Sequence, residues 1–295
     1  MAWVGANTYL CAMLTLNPKD LTVMQVQKYL QNAIAPRPIC FASTMSAAGE
    51  PNLSPFSFFN LFSANPPILV FSPAYSGRTG APKDTLLNVL EVPEVVINVV
   101  TYAMVQQTSL SSSPFPKGVN EFIKSGFTPI PSEEIKPFRV KESPVQLECK
   151  VIEVKELGKQ GGAGNLVICE VIKMHIDKNV LNENQQIDTH KIDLVSRMGD
   201  NWYCRASGDA LFEVQKPITS IGIGYDAIPD SIKHSKVLSG NNLGLLGSVE
   251  QLPSTEEIAA YKQTIQSFGS DDARHQFAQA LLNANQVKEA WMVLL

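Results

Sequence analysis

Residues 36–60 read PRPICFASTMSAAGEPNLSPFSFFN, so Ser43 and Thr44 close one apolar run while Ser54, Phe56, Ser57, Phe58 and Asn60 crowd the end of a second. Hydroxyls and free amides are what a phosphate needs, and backbone beside aromatic surface is what a flat ring needs. Pro55 strengthens the pattern. A proline inside a strand donates no ladder hydrogen bond, so the chain there is bulged or at an edge and neighbouring amides stay open to a ligand. Taken alone, the phenylalanine cluster also reads as ordinary core.

A second group of polar residues follows the Pro66-Pro67 break and the apolar run 68–72. The loop Ser76-Gly77-Arg78-Thr79-Gly80-Ala81-Pro82 leads into Lys83-Asp84-Thr85 and the apolar positions Leu86, Leu87, Val89 and Leu90. Asp84 or Thr85 is expected to cap a helix whose N-terminal amides and positive dipole end face an anion. Arg78 and Lys83 beside that terminus make a phosphate clamp, one planar and bidentate, the other a point charge. Without the rest of the pattern, the same residues describe a capped surface helix with two solvated cations.

The elements that must position these groups are mostly strands. Residues 39–43 and 52–59 around the Gly turn 47–51 predict a hairpin, and 95–101 a buried strand. A short helix is expected over 102–112, and a single helical turn over 121–124 stopped by Gly126. Residues 145–149 alternate until Val151 and Ile152 break the parity, which predicts a bulge. After the loop 158–165 a second long strand runs over 166–177, with Lys173, His175 and Asp177 on one face and Ile172, Met174 and Ile176 on the other. His175 is expected to be solvated.

The ordered series PRPI, ST, G-x-P-N-L-S-P-F-S-F-F-N, PP, K-D-T-L-x-N and V-V-I-N-V resembles the flavin reductase-like family. The resemblance continues through Val119-Asn120-Glu121-Phe122, Ser143-Pro144-Val145, Leu147-Glu148-Cys149 and Arg197 to about Lys216. It implies a mainly β fold with peripheral helices, an FMN-binding split β-barrel of six strands in a Greek key. It also implies a homodimer with each flavin near the subunit interface. Members pass electrons between NADH or NADPH and flavin, or hold FMN as electron carriers, so an NAD(P)H-dependent flavin reductase and a non-catalytic carrier both stand.

Carried over residue by residue, the resemblance gives Ser43, Thr44, Arg78, Lys83 and Thr85 to the FMN phosphate and ribityl chain. Ser54, Phe56, Ser57, Phe58 and Asn60 go to the ring edge. Arg37 and Arg197 are further cations for which a structural or interface role stays open. No catalytic side chain is expected, because hydride transfer requires the nicotinamide C4 over flavin N5 and little else.

The organisation expected is an N-terminal extension 1–15, the flavin-binding barrel 16–216, and a C-terminal arm with a helical appendix 217–295. Residues 217–252, rich in Gly, Asn and Ser, are expected to wrap the barrel. Beyond Pro253, Ser254 to Glu257 open one helix, Asp271 and Asp272 a second, and Val287, Trp291 and Leu294 mark a third, with apolar faces expected to dock on the barrel or a dimer partner. Gly222-Ile223-Gly224-Tyr225 imitates a dinucleotide-binding pattern, but Pro229 interrupts the helix that pattern needs, so a turn is expected.

Composition excludes several classes. The 295 residues are 44% hydrophobic and 18% charged with a net charge of −4, which gives no basic field for nucleic acid. No run reaches the roughly 20 apolar residues of a membrane helix, and the mildly apolar start has no basic region of a signal peptide. The 5 cysteines, Cys11, Cys40, Cys149, Cys169 and Cys204, and the 4 histidines show no metal-ligand spacing. Structural free thiols in a cytoplasmic setting are expected.

Overall fold

A turn at Gly49, where φ is +85°, folds β1 (Cys40–Met45) against β2 (Pro51–Phe56), placing Ala42 opposite Ser54 in the computed structural model, which describes residues 13–295. The strands that follow are β3 (Phe59–Ala64), β4 (Pro67–Phe71), β5 (Glu94–Val99), the two-residue β6 (Pro129–Ile130) and β7 (Arg139–Val140), the long β8 (Val145–Glu156) and β9 (Asn165–Ile176), and the short β10 (Val195–Arg197) and β11 (Tyr203–Arg205). Helices α1 (Val23–Ala33), α2 (Asp84–Glu91), α3 (Val105–Leu110) and α4 (Glu121–Ser125) surround them. The chain divides into two compact units, Met1–Phe212 and Glu213–Leu295. The N-terminal extension lies largely outside the described residues.

The main sheet is antiparallel, with seven strands in the order β2-β1-β5-β8-β9-β4-β3. Its two outer strands are consecutive in the chain, linked only by Ser57 and Phe58. Three Cα steps cover at most about 11 Å, so the sheet curls until its edges meet at that corner and the barrel stays split between β2 and β3. The six strands expected are therefore seven, because the single run anticipated over 52–59 breaks at Ser57-Phe58 and its continuation, β3, pairs with β4.

Inside the barrel Cys40, Ala42, Phe71, Ile97, Cys149, Val167 and Cys169 pack with Leu86 and Val89 of α2. On the other face of β1, Phe41 joins Leu53, Met104, Phe122 and Phe127, the side where α3 and α4 lie. Each such fully buried aromatic or aliphatic side chain contributes on the order of 1.5–3 kcal/mol. The Cys149 thiol, beside Cys169 and buried, and the buried Cys40 thiol are held well above the ordinary thiol range, so both behave as core hydrophobes.

The bulge expected near Val151 and Ile152 is present, as a register shift between Val151 and Glu153 against β9. Gly126 terminates α4 in the left-handed conformation at φ 71°. His175 is half-buried and paired rather than freely solvated. Its Nε2 lies 2.7 Å from Oε1 of Glu148, which is fully buried and also accepts the amides of Glu133 at 2.9 Å and Glu134 at 2.8 Å. Strand alternation identifies the face His175 shares with Lys173, but the segment 133–134 that covers this face arrives from elsewhere in the chain.

The second unit holds α5 (Asp230–Lys233), α6 (Gly240–Gly247), α7 (Thr255–Lys262), α8 (Asp271–Asn283) and α9 (Val287–Leu294). The anticipated helix starts are there, α7 with a reciprocal Ser254–Glu257 capping box and α8 with Ser270 as its cap. Residues 217–252 are not extended throughout, since they contain α5 and α6. Ile228, Ile232, Leu243 and Leu246 build one core with Leu282, Trp291 and Leu294, and Trp291 Nε1 donates 3.0 Å to the Leu246 carbonyl. The faces expected to dock elsewhere thus bury one another. Gly222 is a packing glycine, since a Cβ there would meet the Gly247 carbonyl at 2.4 Å while Ile223 N donates to Val249 O at 2.8 Å.

Candidate functional site

Loop 57–58, where the barrel edges meet, forms one wall of a cavity of about 470 Å³ lined by Ser54, Phe56, Ser57, Phe58, Tyr75, Arg78, Lys83 and Ser112 among others. That size falls within the range of small-molecule sites. The pairing of β2 with β1 runs to Phe56 opposite Cys40, and beyond it the Ser57 and Phe58 amides make no backbone hydrogen bond among the described residues. Across the cavity, the segment 72–77 is held by the loop 158–165. Tyr75 N donates to Ala163 O at 2.9 Å, Gly162 N to Tyr75 O at 3.0 Å, and Asn165 N to Ser72 Oγ at 3.0 Å.

The cations come from the end of that segment and the start of α2. Lys83 itself is the N-cap of α2, in extended conformation and with no side-chain cap bond, so neither Asp84 nor Thr85 caps the helix as expected. The first amides of α2 are left without a capping side chain beside Lys83, and neither Arg78 nor Lys83 forms an ion pair among the described residues. An uncapped helix start flanked by two uncommitted cations fits a phosphate dianion, and the free amides beside Phe56 and Phe58 fit a ring edge. The donor set therefore fits flavin mononucleotide.

Of the residues singled out in the sequence, six line this cavity: Ser54, Phe56, Ser57, Phe58, Arg78 and Lys83. Thr44 and Thr85 are inside the protein. Asn52 Nδ2 donates to Thr44 Oγ1 at 3.0 Å and to Thr85 Oγ1 at 2.9 Å, and Asn88 Nδ2 donates to Thr44 Oγ1 at 3.1 Å. These hydroxyls are spent on tying α2 to the barrel. Ser43 points to the opposite face of β1, fully buried with its Oγ unpartnered. Strand alternation makes this unavoidable, because adjacent positions cannot share a face.

Asn60 is exposed on β3, with its side chain accepting from Leu61 N at 2.8 Å. Arg37 is a structural cation. Its guanidinium donates to the carbonyls of Gln31, Ile34 and Met198, with Nε 3.5 Å from Ser57 Oγ. It thereby braces α1 and the 198 loop behind the cavity wall. Burial, and then the nearby Arg197 charge, lowers its pKa from the ordinary value.

The sequence model of the flavin reductase like domain matches residues 33–191, more than half of the chain. The chain belongs to this family. An uncharacterized protein of Halalkalibacterium halodurans is 37% identical over 192 residues, covering 64% of this chain and 90% of that protein. Among solved structures, nitrilotriacetate monooxygenase component B from Bacillus cereus is 29% identical with a TM-score of 0.64, over 68% of this chain and 98% of that one. The 2-nitrobenzoate 2-nitroreductase of Pseudomonas fluorescens is 25% identical with a TM-score of 0.61, over 71% of this chain and 100% of that one. The family match ends before the second unit begins.

Beside the cavity of this flavin reductase-like unit lies a second one of about 660 Å³, which shares Pro55, Phe56, Ser57 and Ser112 with the first. Its walls include Tyr102, Ser109, Arg197, Tyr203 and Arg205. Sequence reading named Arg197 only. The others come from the single turn Tyr102–Met104, from α3 and from the β10–β11 hairpin, and carry no local signal. Helix α1 was also missed, although Thr22 and Gln25 form a capping box visible as T-x-x-Q. Among the described residues no helix is long and apolar enough to cross a membrane, and no three His, Cys, Asp or Glu side chains are grouped to hold a metal ion.

Proposed function

We propose that the protein binds FMN in the cavity walled by loop 57–58 and acts as an NAD(P)H-dependent flavin reductase. The observation that carries this reading is the meeting, in one cavity, of the uncapped α2 terminus, Arg78 and Lys83 with the open Ser57 and Phe58 amides. FMN, when bound, supplies a ring that accepts two electrons with a proton. Arg78, Lys83 and the first α2 amides hold its phosphate. The Ser57 and Phe58 amides orient the polar ring edge, Phe56 and Phe58 exclude water, and Arg37 keeps the wall rigid through Ser57 and three carbonyls. Among the described residues no Rossmann unit is recognisable, so the nicotinamide would meet the flavin on its open face, in the adjoining cavity.

Family membership supports flavin chemistry, and the monooxygenase component and nitroreductase among its structural neighbours are consistent with electrons passing onward. Steady-state oxidation of NADH and NADPH with and without added FMN tests the proposal. Turnover that depends on FMN is expected; tight FMN binding without nicotinamide oxidation would leave the protein an electron carrier. An FMN affinity no greater than that for riboflavin in a fluorescence-quenching titration would overturn the phosphate assignment.

A further inference from the structure

The second cavity has a chemistry of its own. Two guanidinium–aromatic stacks line it: the Arg197 guanidinium carbon lies 4.5 Å from the centre of the Tyr203 ring, and that of Arg205 lies 3.8 Å from the centre of the Tyr102 ring. The two cations differ in commitment. Arg205 is neutralised by a bidentate pair with Asp193, at 2.7 and 2.9 Å. Arg197 spends one donor on the Asp200 carbonyl at 2.7 Å and forms no ion pair among the described residues. Its neighbour Arg37, joined to it by paired backbone hydrogen bonds of 2.9 and 2.8 Å, has no carboxylate either.

We infer that this cavity takes a planar aromatic carboxylate, with the carboxylate on the Arg197 fork and the ring between Tyr203, Tyr102 and Phe56. A guanidinium already held over an aromatic face loses little freedom on pairing, and its remaining donors match a carboxylate bidentately. Ile39, Val105 and Val195 supply an apolar floor, and Ser109 and Ser112 supply hydroxyls. The shared Phe56–Ser57 wall puts such a ligand beside the proposed flavin ring, as an acceptor or occupant of its open face. That role rests on the flavin reading, whereas binding itself does not.

Calorimetric titration of the full chain with benzoate and with benzamide, its uncharged analogue, separates the two. Benzoate should bind about tenfold or more tightly than benzamide, the effect of a charge-assisted hydrogen-bond pair. Arg197→Gln should remove that preference, and Arg197→Lys should restore part of it. Equal binding of the two compounds, no binding of either, or a preference retained in Arg197→Gln would overturn the inference. The titration is run on flavin-free protein and repeated with FMN. A chain that takes benzoate but not FMN keeps the carboxylate site and loses the flavin reading; in FMN-loaded protein benzoate should also perturb the flavin visible spectrum.

Discussion

Asn52 and Thr85, on β2 and at the start of α2, are joined by a 2.9 Å hydrogen bond inside the protein, and the same Asn52 amide reaches Thr44 at 3.0 Å. One side chain thus sets the helix terminus that faces the proposed phosphate against the barrel wall. Asn52→Leu, close in size, removes both donations and strands the buried Thr85 hydroxyl, while Thr44 keeps only Asn88. It should destabilise the protein by about 2–3 kcal/mol and weaken FMN binding as well. Denaturant midpoints and flavin titration measure this; an unchanged midpoint would refute the structural role.

Lys83→Ala should reduce FMN affinity by about 1.5–3 kcal/mol, the range for a hydrogen bond to a charged group, with riboflavin affinity unchanged. Equal loss for both ligands would mean that the lysine does not meet the phosphate.

Glu148 titrates in a way that stability should report. Its burial alone raises the carboxyl pKa, but the Glu133 and Glu134 amides and His175 outweigh it, and the pKa lies below the ordinary value. A folded-state pKa below the unfolded one adds stability above pH of about 4.3 that is lost as pH falls through the folded value. Glu148→Gln should therefore cost about 2–4 kcal/mol at neutral pH, and the gap to wild type should narrow below about pH 4. A gap independent of pH in urea melts would contradict the assignment.

An obligate homodimer is expected, with the flavin site completed by the second subunit. Among the described residues strand β3 pairs only with β4 and exposes Leu61 and Phe62, and α1 exposes Met24, Leu30 and Ile34. Such edges and apolar faces are covered in stable proteins, and obligate interfaces bury upward of about 2,000 Å². Light scattering with flavin fluorescence across a dilution series should show FMN release on dissociation. A fully loaded monomer of 32.3 kDa would defeat the expectation.

Family resemblance grouped Ser54, Phe56, Ser57, Phe58, Arg78 and Lys83, which line one cavity, and the chain's own residue pattern settled the local devices: the hairpin around Gly49, the stop at Gly126, the bulge after Val151 and the Ser254–Glu257 cap. These follow from backbone sterics, side-chain period and short-range hydrogen bonds, all of which act over a few residues. Tertiary structure decided which hydroxyls were still free. Thr44 and Thr85 satisfied the motif but were claimed by Asn52, Ser43 was turned away by strand alternation, and Arg37 was consumed by carbonyls as distant as Met198. It alone assembled Tyr102, Arg197, Tyr203 and Arg205 into a cavity, and built residues 217–252 into one helical core with α8 and α9. A buried polar group takes the nearest partner in space, and that partner is fixed by packing between segments far apart in the chain.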